Sequence, residues 1–259
     1  MNWLVRSKFI FSIFYLIQQL NYNTAAATLI DQKKELPSAT PKIALIIDDI
    51  GYRLEIVKKF IQLKIPITFS LLPESTYFQE ILLLAKKHSI EIMLHMPMEP
   101  IAWPKTESQK DSFLLINDDR KAIINKLTSS IRQFPSLLGV NNHMGSRFTS
   151  NNEGMKTVLS VLKKEGLFFL DSKTAPGKLT YKLAKKMNVK FFARNIFLDH
   201  KRDLHSIKKQ LNKSLFYAKK QGRCIVIGHP LEQTYQALKS KLTNKEIKGV
   251  QFTKISSLL

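Results

Sequence analysis

The stretch IALIIDDIGY, residues 43–52, is an apolar run that turns abruptly acidic. Residues 43–47 carry no polar side chain; Asp48 and Asp49 follow at once, then Gly51. A short apolar run without alternation is the pattern of a strand covered on both faces, as in a parallel sheet flanked by helices. Folds of that kind place their chemistry at the C-terminal ends of the strands, which is where Asp48 and Asp49 fall. Two adjacent carboxylates repel each other, and burying them is costly without a cation or hydrogen-bond donors.

The same unit recurs down the chain. Further apolar runs occur at 67–72, 91–95, 138–142, 167–170, 189–193, 224–228 and 250–255. Between them lie segments of helical period at about 54–63, 77–88, 118–133, 152–164, 178–187, 203–221 and 232–242. Asn117-Asp118 and Asn151-Asn152 are start signals, and Gly166 and Gly222 are stop signals. This alternation predicts an α/β protein, an irregular seven- or eight-stranded (β/α) barrel. An open doubly wound sheet is the alternative, but no G-x-G-x-x-G follows any strand. There is no P-loop, no G-x-S-x-G and no internal repeat.

Composition excludes several classes. With 44% hydrophobic residues in 259, the chain is not a disordered one. Its single cysteine, Cys224, excludes an intrachain disulfide and a Cys-based zinc finger. Lys and Arg number 41 against 20 Asp and Glu, a net charge of +21. The lysines come largely as pairs within the helical segments, as at 58–59, 86–87, 163–164 and 219–220. Dispersed pairs point to solvated helix faces, whereas nucleic-acid binders gather charge on one face. No nucleic-acid partner is expected.

The N-terminus reads as an export address. Arg6 and Lys8 precede an apolar segment at 9–17, and Ala25-Ala26-Ala27 offers a cleavage site. Residues 1–27 are therefore expected to be a signal peptide, 28–41 a linker and 42–259 the folded domain, working in the periplasm or cell envelope. Membrane contact is expected only through an uncleaved signal or weak electrostatic attraction.

The polar residues fall on one rim. His95 ends the third apolar run, with Glu99 four residues on; Asn141, Asn142 and His143 end the fourth, with Arg147 just beyond. Asp171 ends the fifth, Arg194 and Asp199-His200 follow the sixth, and His229 follows the seventh. Histidines and carboxylates converging on one rim suit a divalent metal, zinc-like or harder, with positions left open for water. A second carboxylate can take a proton from that water and a facing histidine can protonate a leaving group. The residues thus point to a metal-assisted hydrolase of amides or esters, without naming the acyl group.

IIDDIGY (46–52), LLPES (71–75), LHMPMEP (94–100), GVNNHMGSRFT (139–149), LFFLDSKT (167–174), the R-x-x-x-x-D-H of 194–200 and IGHP (227–230) together resemble the divergent polysaccharide deacetylase family. These are bacterial envelope proteins related to chitin and peptidoglycan N-deacetylases. The resemblance implies a deacetylase-type barrel, a divalent metal, most readily zinc, and a carbohydrate polymer or cell-wall glycan as substrate. It implies that Asp48 is the catalytic base, Asp49 and His95 are metal ligands, His229 is the general acid, and Asp171 orients the acid–base machinery. The family's H-x-x-x-H has Glu99 at its second position here, so the third ligand is expected to be His143, with Glu99 competing. Asn142, Arg147 and Glu99 are expected at the substrate. The changed motifs also admit a non-catalytic glycan- or cell-wall-binding protein, with Tyr52, Trp103 and Phe148 as stacking platforms.

Overall fold

The computed structural model describes residues 40–103, 112–244 and 247–258. The expected signal peptide and all but the last two residues of the expected linker lie outside the described residues. Among the described residues the elements follow in the order β1 (Lys42–Ile50), α1 (Leu54–Gln62), β2 (Thr68–Leu71), α2 (Phe78–Lys87), β3 (Glu91–Met98), α3 (Arg120–Arg132), β4 (Gly139–Met144), a 3-10 turn at Phe148–Ser150 before α4 (Asn152–Lys164), β5 (Phe168–Asp171), α5 (Leu179–Met187), β6 (Phe191–Ala193), β7 (Ile196–Phe197), α6 (Leu204–Gln221), β8 (Arg223–Gly228), α7 (Glu232–Thr243) and β9 (Gln251–Thr253), with a short 3-10 helix at Ile255–Leu258. All seven helical segments and all eight apolar runs form the expected elements. The start of α3 differs from the expectation. Asp119, not Asn117 or Asp118, caps it by accepting from the Ala122 amide, while Asp118 accepts from the Leu115 amide and pairs with Lys126.

The strands form one parallel sheet in the order β6-β5-β4-β3-β2-β1-β8-β7, with β9 beside the first residues of β1. β7 was not foreseen as a separate strand. Residues 191–193 pair with β5, the chain steps across at Arg194 and Asn195, and Ile196-Phe197 pair with β8. At the step, the Asn195 amide donates to the Ile225 carbonyl and its side-chain oxygen accepts from the Ile225 amide, so a carboxamide replaces one rung of the ladder. The sheet curls until its two edge strands are consecutive in sequence, an irregular (β/α) barrel rather than an open doubly wound sheet.

Strand alternation sorts the side chains into two layers. Ile43, Leu45 and Ile47 of β1, with Phe69, Val140, Phe169 and Val226, pack outward beneath the helices. Ala44, Ile46, Met93, Phe168, Leu170, Ile225 and Ile227 form a separate plug inside the barrel, joined by Ile255. Gly139 makes room for that plug, since a Cβ there would lie 2.5 Å from the Phe168 ring. One layer further along the same inward-facing positions, the residues become polar and stay buried: Asp48, Ser70, His95 and Asn141. The paired lysines sit on exposed or half-buried helix positions, as their dispersal implied. Among the described residues, no helix is long and apolar enough to cross a membrane.

Candidate metal centre and active site

The double aspartate is placed by a bulge. β1 and β2 are in register at Ile47↔Phe69 and again at Ile50↔Leu71, so β1 carries one extra residue between these points. Asp49 takes it up with φ +53, in the left-handed region that costs a non-glycine residue about 1–2 kcal/mol. In a regular strand Asp48 and Asp49 would face opposite sides; here His95 Nε2 lies 3.0 Å from Asp49 Oδ1 and 3.8 Å from Asp48 Oδ2. Just beyond the bulge, Gly51 has φ +151, and a Cβ there would fall 2.1 Å from Ser75 Oγ.

His95 and His143 converge on one carboxylate oxygen. Asp49 Oδ1 is 3.0 Å from His95 Nε2 and 2.8 Å from His143 Nδ1, and the two nitrogens are 3.2 Å apart. The ligand-capable atoms of these three residues all lie within 4.8 Å of one another. Three lone-pair atoms packed this closely repel one another unless bridged by protons or by a cation, and one carboxylate with two imidazoles is a donor set that suits zinc. The residues present therefore fit a divalent ion.

Asn141 ties the ligand layer to its surroundings. It is fully buried; its oxygen lies 2.5 Å from Ser70 Oγ and 2.9 Å from His95 Nδ1, and its amide donates to Asp48 Oδ1 at 2.9 Å and to Ser172 Oγ at 3.2 Å. Holding His95 through Nδ1 leaves Nε2 aimed at Asp49, the arrangement that orients a ligating imidazole. Burial pushes the Asp48 carboxyl above its ordinary pKa, against the pull of His95, His229 and the Asn141 amide. Burial also acts on Asp49, but the hydrogen bonds from His143 and His95 outweigh it and hold that carboxyl well below the usual range.

His229 is held from behind. Its Nδ1 is 2.8 Å from Asp199 Oδ1, and Asp199 Oδ2 accepts from the His229 amide at 2.6 Å and from Thr234 Oγ1 at 2.7 Å. Its Nε2 faces Asp49 Oδ2 at 3.7 Å. Burial alone would lower the imidazole, but the fully buried Asp199 carboxylate, helped by Asp49 and Asp48, pushes it up to about 9.

A cavity of about 590 Å³ joins these groups, lined by Asp48, Asp49, His95, His143 and His229 with Lys173, Arg194 and His200 on its wall. Asp49, Met144 and Lys173 are three of the seven non-glycine residues with positive φ among the described residues, and all three line it. Strain of this kind concentrates where a fold holds groups for function. A neighbouring cavity of about 420 Å³ shares Asp49 and His143 and adds Tyr52, Glu74 and Phe113.

The remaining expected residues are placed differently. The Glu99 carboxylate accepts from the Ile116 amide at 2.7 Å and pairs with Arg147 at 2.9 Å, so it turns away from the Asp49–His95–His143 cluster. Neither Glu99 nor Arg147 is among the residues lining the two cavities, and both serve to hold the segments after β3 and β4 together. Asn142 does line the larger cavity, although its side chain is engaged with Met144, Ser172 and Thr174. Asp171 accepts from the Lys173 amide and lies against a different cavity; Asp199 stands where an orienting carboxylate for His229 was expected. Phe148 is fully buried, which corrects its reading as a stacking platform, whereas Tyr52 is half exposed. Sequence reasoning missed the roles of Asn141 and Asp199. The only available signal for Asp199 was the Asp-His pair after residues 196–198. Cys224 is buried on β8, and burial pushes its thiol up to about 12, the state of an inert core residue.

YibQ, an uncharacterized protein of Escherichia coli, is 32% identical over 223 residues, which are 86% of this chain and 69% of YibQ. The solved structure of the uncharacterized protein ATU2773 from Agrobacterium tumefaciens superimposes with a TM-score of 0.79 at 23% identity, covering 86% of this chain and 91% of that one. BA3943 of Bacillus anthracis, a CE4 family pseudoenzyme, shares the fold with a TM-score of 0.53 at 12% identity, covering 85% of this chain and 66% of that one; a mutant of it has restored enzymatic activity. Peptidoglycan N-acetylglucosamine deacetylases share the fold at similar distance, with TM-scores of 0.51 and 0.53. The sequence profile of the divergent polysaccharide deacetylases matches residues 45–259, from the second half of the β1 apolar run to the last residue. With the match spanning the barrel and every group at its rim, the chain belongs to the divergent polysaccharide deacetylase family.

Proposed function

We propose that the protein is an exported, metal-dependent hydrolase that removes N-acetyl groups from an envelope polysaccharide. The observation that carries this reading is the convergence of Asp49, His95 and His143 beside a buried carboxylate and a carboxylate-held imidazole in one cavity. Asp49, His95 and His143 would hold the ion, zinc being the best match to the donor set. A bound divalent ion supplies Lewis acidity and makes water more acidic.

The chain's own groups supply the proton traffic. Burial raises the Asp48 carboxyl above its ordinary value, the direction that strengthens it as a base, and it takes the proton of the attacking water. His229, protonated below about pH 9, presents Nε2 to the cavity and donates its proton to the departing sugar amine. The C–N bond breaks, a C–O bond forms, and acetate and a free amine leave. Asp199 fixes the tautomer and orientation of His229. Asn141 holds His95 and Asp48 in place.

The test is the metal content of the purified protein, wild type beside His143→Ala, with acetate release from N-acetylated glycans. About one zinc-like ion per chain, lost in the variant, supports the reading; no metal after incubation with zinc, together with no acetate release, overturns it. A second reading, a glycan-binding protein on the same scaffold, is favoured by one observation: the position four after His95 carries Glu99, committed to Arg147. An Asp48→Asn variant separates the two, since it abolishes an enzyme's role in cells and leaves a binder's intact.

A further inference from the structure

We propose that Lys173 and the cationic wall around it select a glycan that carries an anionic group, carboxylate or phosphate, beside the N-acetylated sugar. This inference rests on the deacetylase reading above and names its substrate class.

The cavity is polarised. Asp48 and Asp49 lie on the β1 side, and the wall built by the ends of β5 to β7 presents Lys173, Arg194 and His200. A divalent ion on Asp49, His95 and His143 would balance the two carboxylates, leaving Asp171 as the carboxylate that offsets both Lys173 and Arg194, two cations against one anion. A neutral amino sugar offers nothing to match the excess charge, whereas an anionic oxygen does.

The lysine is held by its backbone and free at its tip. The Lys173 amide donates to Asp171 Oδ1 at 2.7 Å, and its carbonyl accepts from Arg194 Nη2 at 3.2 Å. Next to it, the Ser172 amide donates to Asn142 Oδ1 and the Ser172 carbonyl accepts from Arg194 Nε at 2.7 Å. These contacts keep Lys173 at φ +52 on the rim. Its ammonium makes no hydrogen bond or ion pair among the described residues, whereas Lys58, Lys59, Lys126 and Lys156 each meet a carboxylate at 2.7–2.9 Å. Arg194, whose guanidinium also lies 4.5 Å over the Phe197 ring, is the positioning residue of this wall, and Lys173 is the group that meets the anion.

The experiment is calorimetric binding of three oligosaccharides to zinc-incubated protein, with acetate release followed in parallel. The probes are an N-acetylglucosamine tetramer, the same tetramer with one sugar oxidised to the uronate, and the same tetramer with one 6-phosphate. Lys173 is exposed, so the preference of wild type for an anionic over the neutral tetramer is expected to be about fivefold, about 1 kcal/mol. That ratio should fall toward one in Lys173→Gln, survive in Lys173→Arg and shrink as salt is raised. Whichever anionic tetramer binds more tightly identifies the source of the charge. Binding of the neutral tetramer as tight as that of both anionic ones, or a preference unchanged in Lys173→Gln, overturns the inference and leaves the deacetylase reading standing. Binding of none of the three, with no acetate released, overturns both.

Discussion

Replacing Asp199 by Asn should uncouple His229 from the charge that keeps it protonated. In the wild type the imidazole is pushed up to about 9 from an ordinary value of 6.5, which corresponds to about 3 kcal/mol of preference for the charged form. The buried Asp199 carboxylate contributes the largest raising effects, through a 2.8 Å hydrogen bond and its charge. An asparagine can still accept from the His229 amide and Thr234 with its oxygen, but then turns its NH2 toward Nδ1, which favours the neutral ring with the proton on Nε2. The titration midpoint should therefore fall to about 6.5 or below. At pH 7.5 the protonated fraction would drop from about 97% to about 9%, a tenfold loss of the general acid. Because folding raises this pKa, its contribution to stability is fully present below about pH 6.5 and is lost as the pH climbs through about 9. Nitrogen NMR of the imidazole, followed from pH 5 to 10.5, reads the midpoint directly. Chelator-treated protein tests the value itself; adding zinc should lower the wild-type midpoint by cancelling the Asp49 contribution while keeping it above that of the variant. A wild-type midpoint near 6.5, or a variant that titrates with the wild type, would refute the reasoning.

Asn141→Ala removes four contacts at once and leaves Asp48 and His95 buried with fewer partners, so urea denaturation should show a loss of about 2–4 kcal/mol; a loss below about 1 kcal/mol would mean that water replaces the amide. Gly51→Ala pushes a methyl group into Ser75 Oγ from a backbone conformation that side chains rarely adopt, and should lower the thermal midpoint by several degrees and disturb the β1 bulge. Glu99→Gln should leave zinc content unchanged while weakening the Arg147 contact by at most about 1 kcal/mol, because Arg147 is half exposed; loss of zinc in this variant would make Glu99 a ligand after all.

The barrel was legible because the pattern of apolar runs and helical segments is local, and each run is long enough to be recognised. β7 was not legible, since two residues carry no period and its ladder is completed by the Asn195 side chain. The rim histidines and the double aspartate could be read as a set because strand ends converge in any parallel barrel. Their partners could not. Asp171 and Asp199 look alike in sequence, each an acid just past an apolar segment, and only the fold shows that Asp199 reaches His229 while Asp171 caps its own turn. His143 was the expected third ligand and Glu99 its competitor, but only the fold shows Glu99 paired with Arg147 and His143 beside Asp49.

The division of labour between the two aspartates follows from one backbone angle. Neighbours in an extended strand face opposite ways, so an unbulged β1 would send Asp48 inward to Asn141 and Asp49 outward toward the helices, away from both histidines. The extra residue between Ile47 and Ile50 and the left-handed φ at Asp49 put both carboxylates on the rim in different surroundings. Asp48 stays at the buried layer, where desolvation raises it toward the range of a base. Asp49 rises toward the cavity, where two imidazoles keep it ionised as a ligand must be. Identical side chains one position apart thus acquire opposite shifts, and the cost of the strained residue is borne by a nine-residue strand whose apolar residues are among the most buried in the molecule.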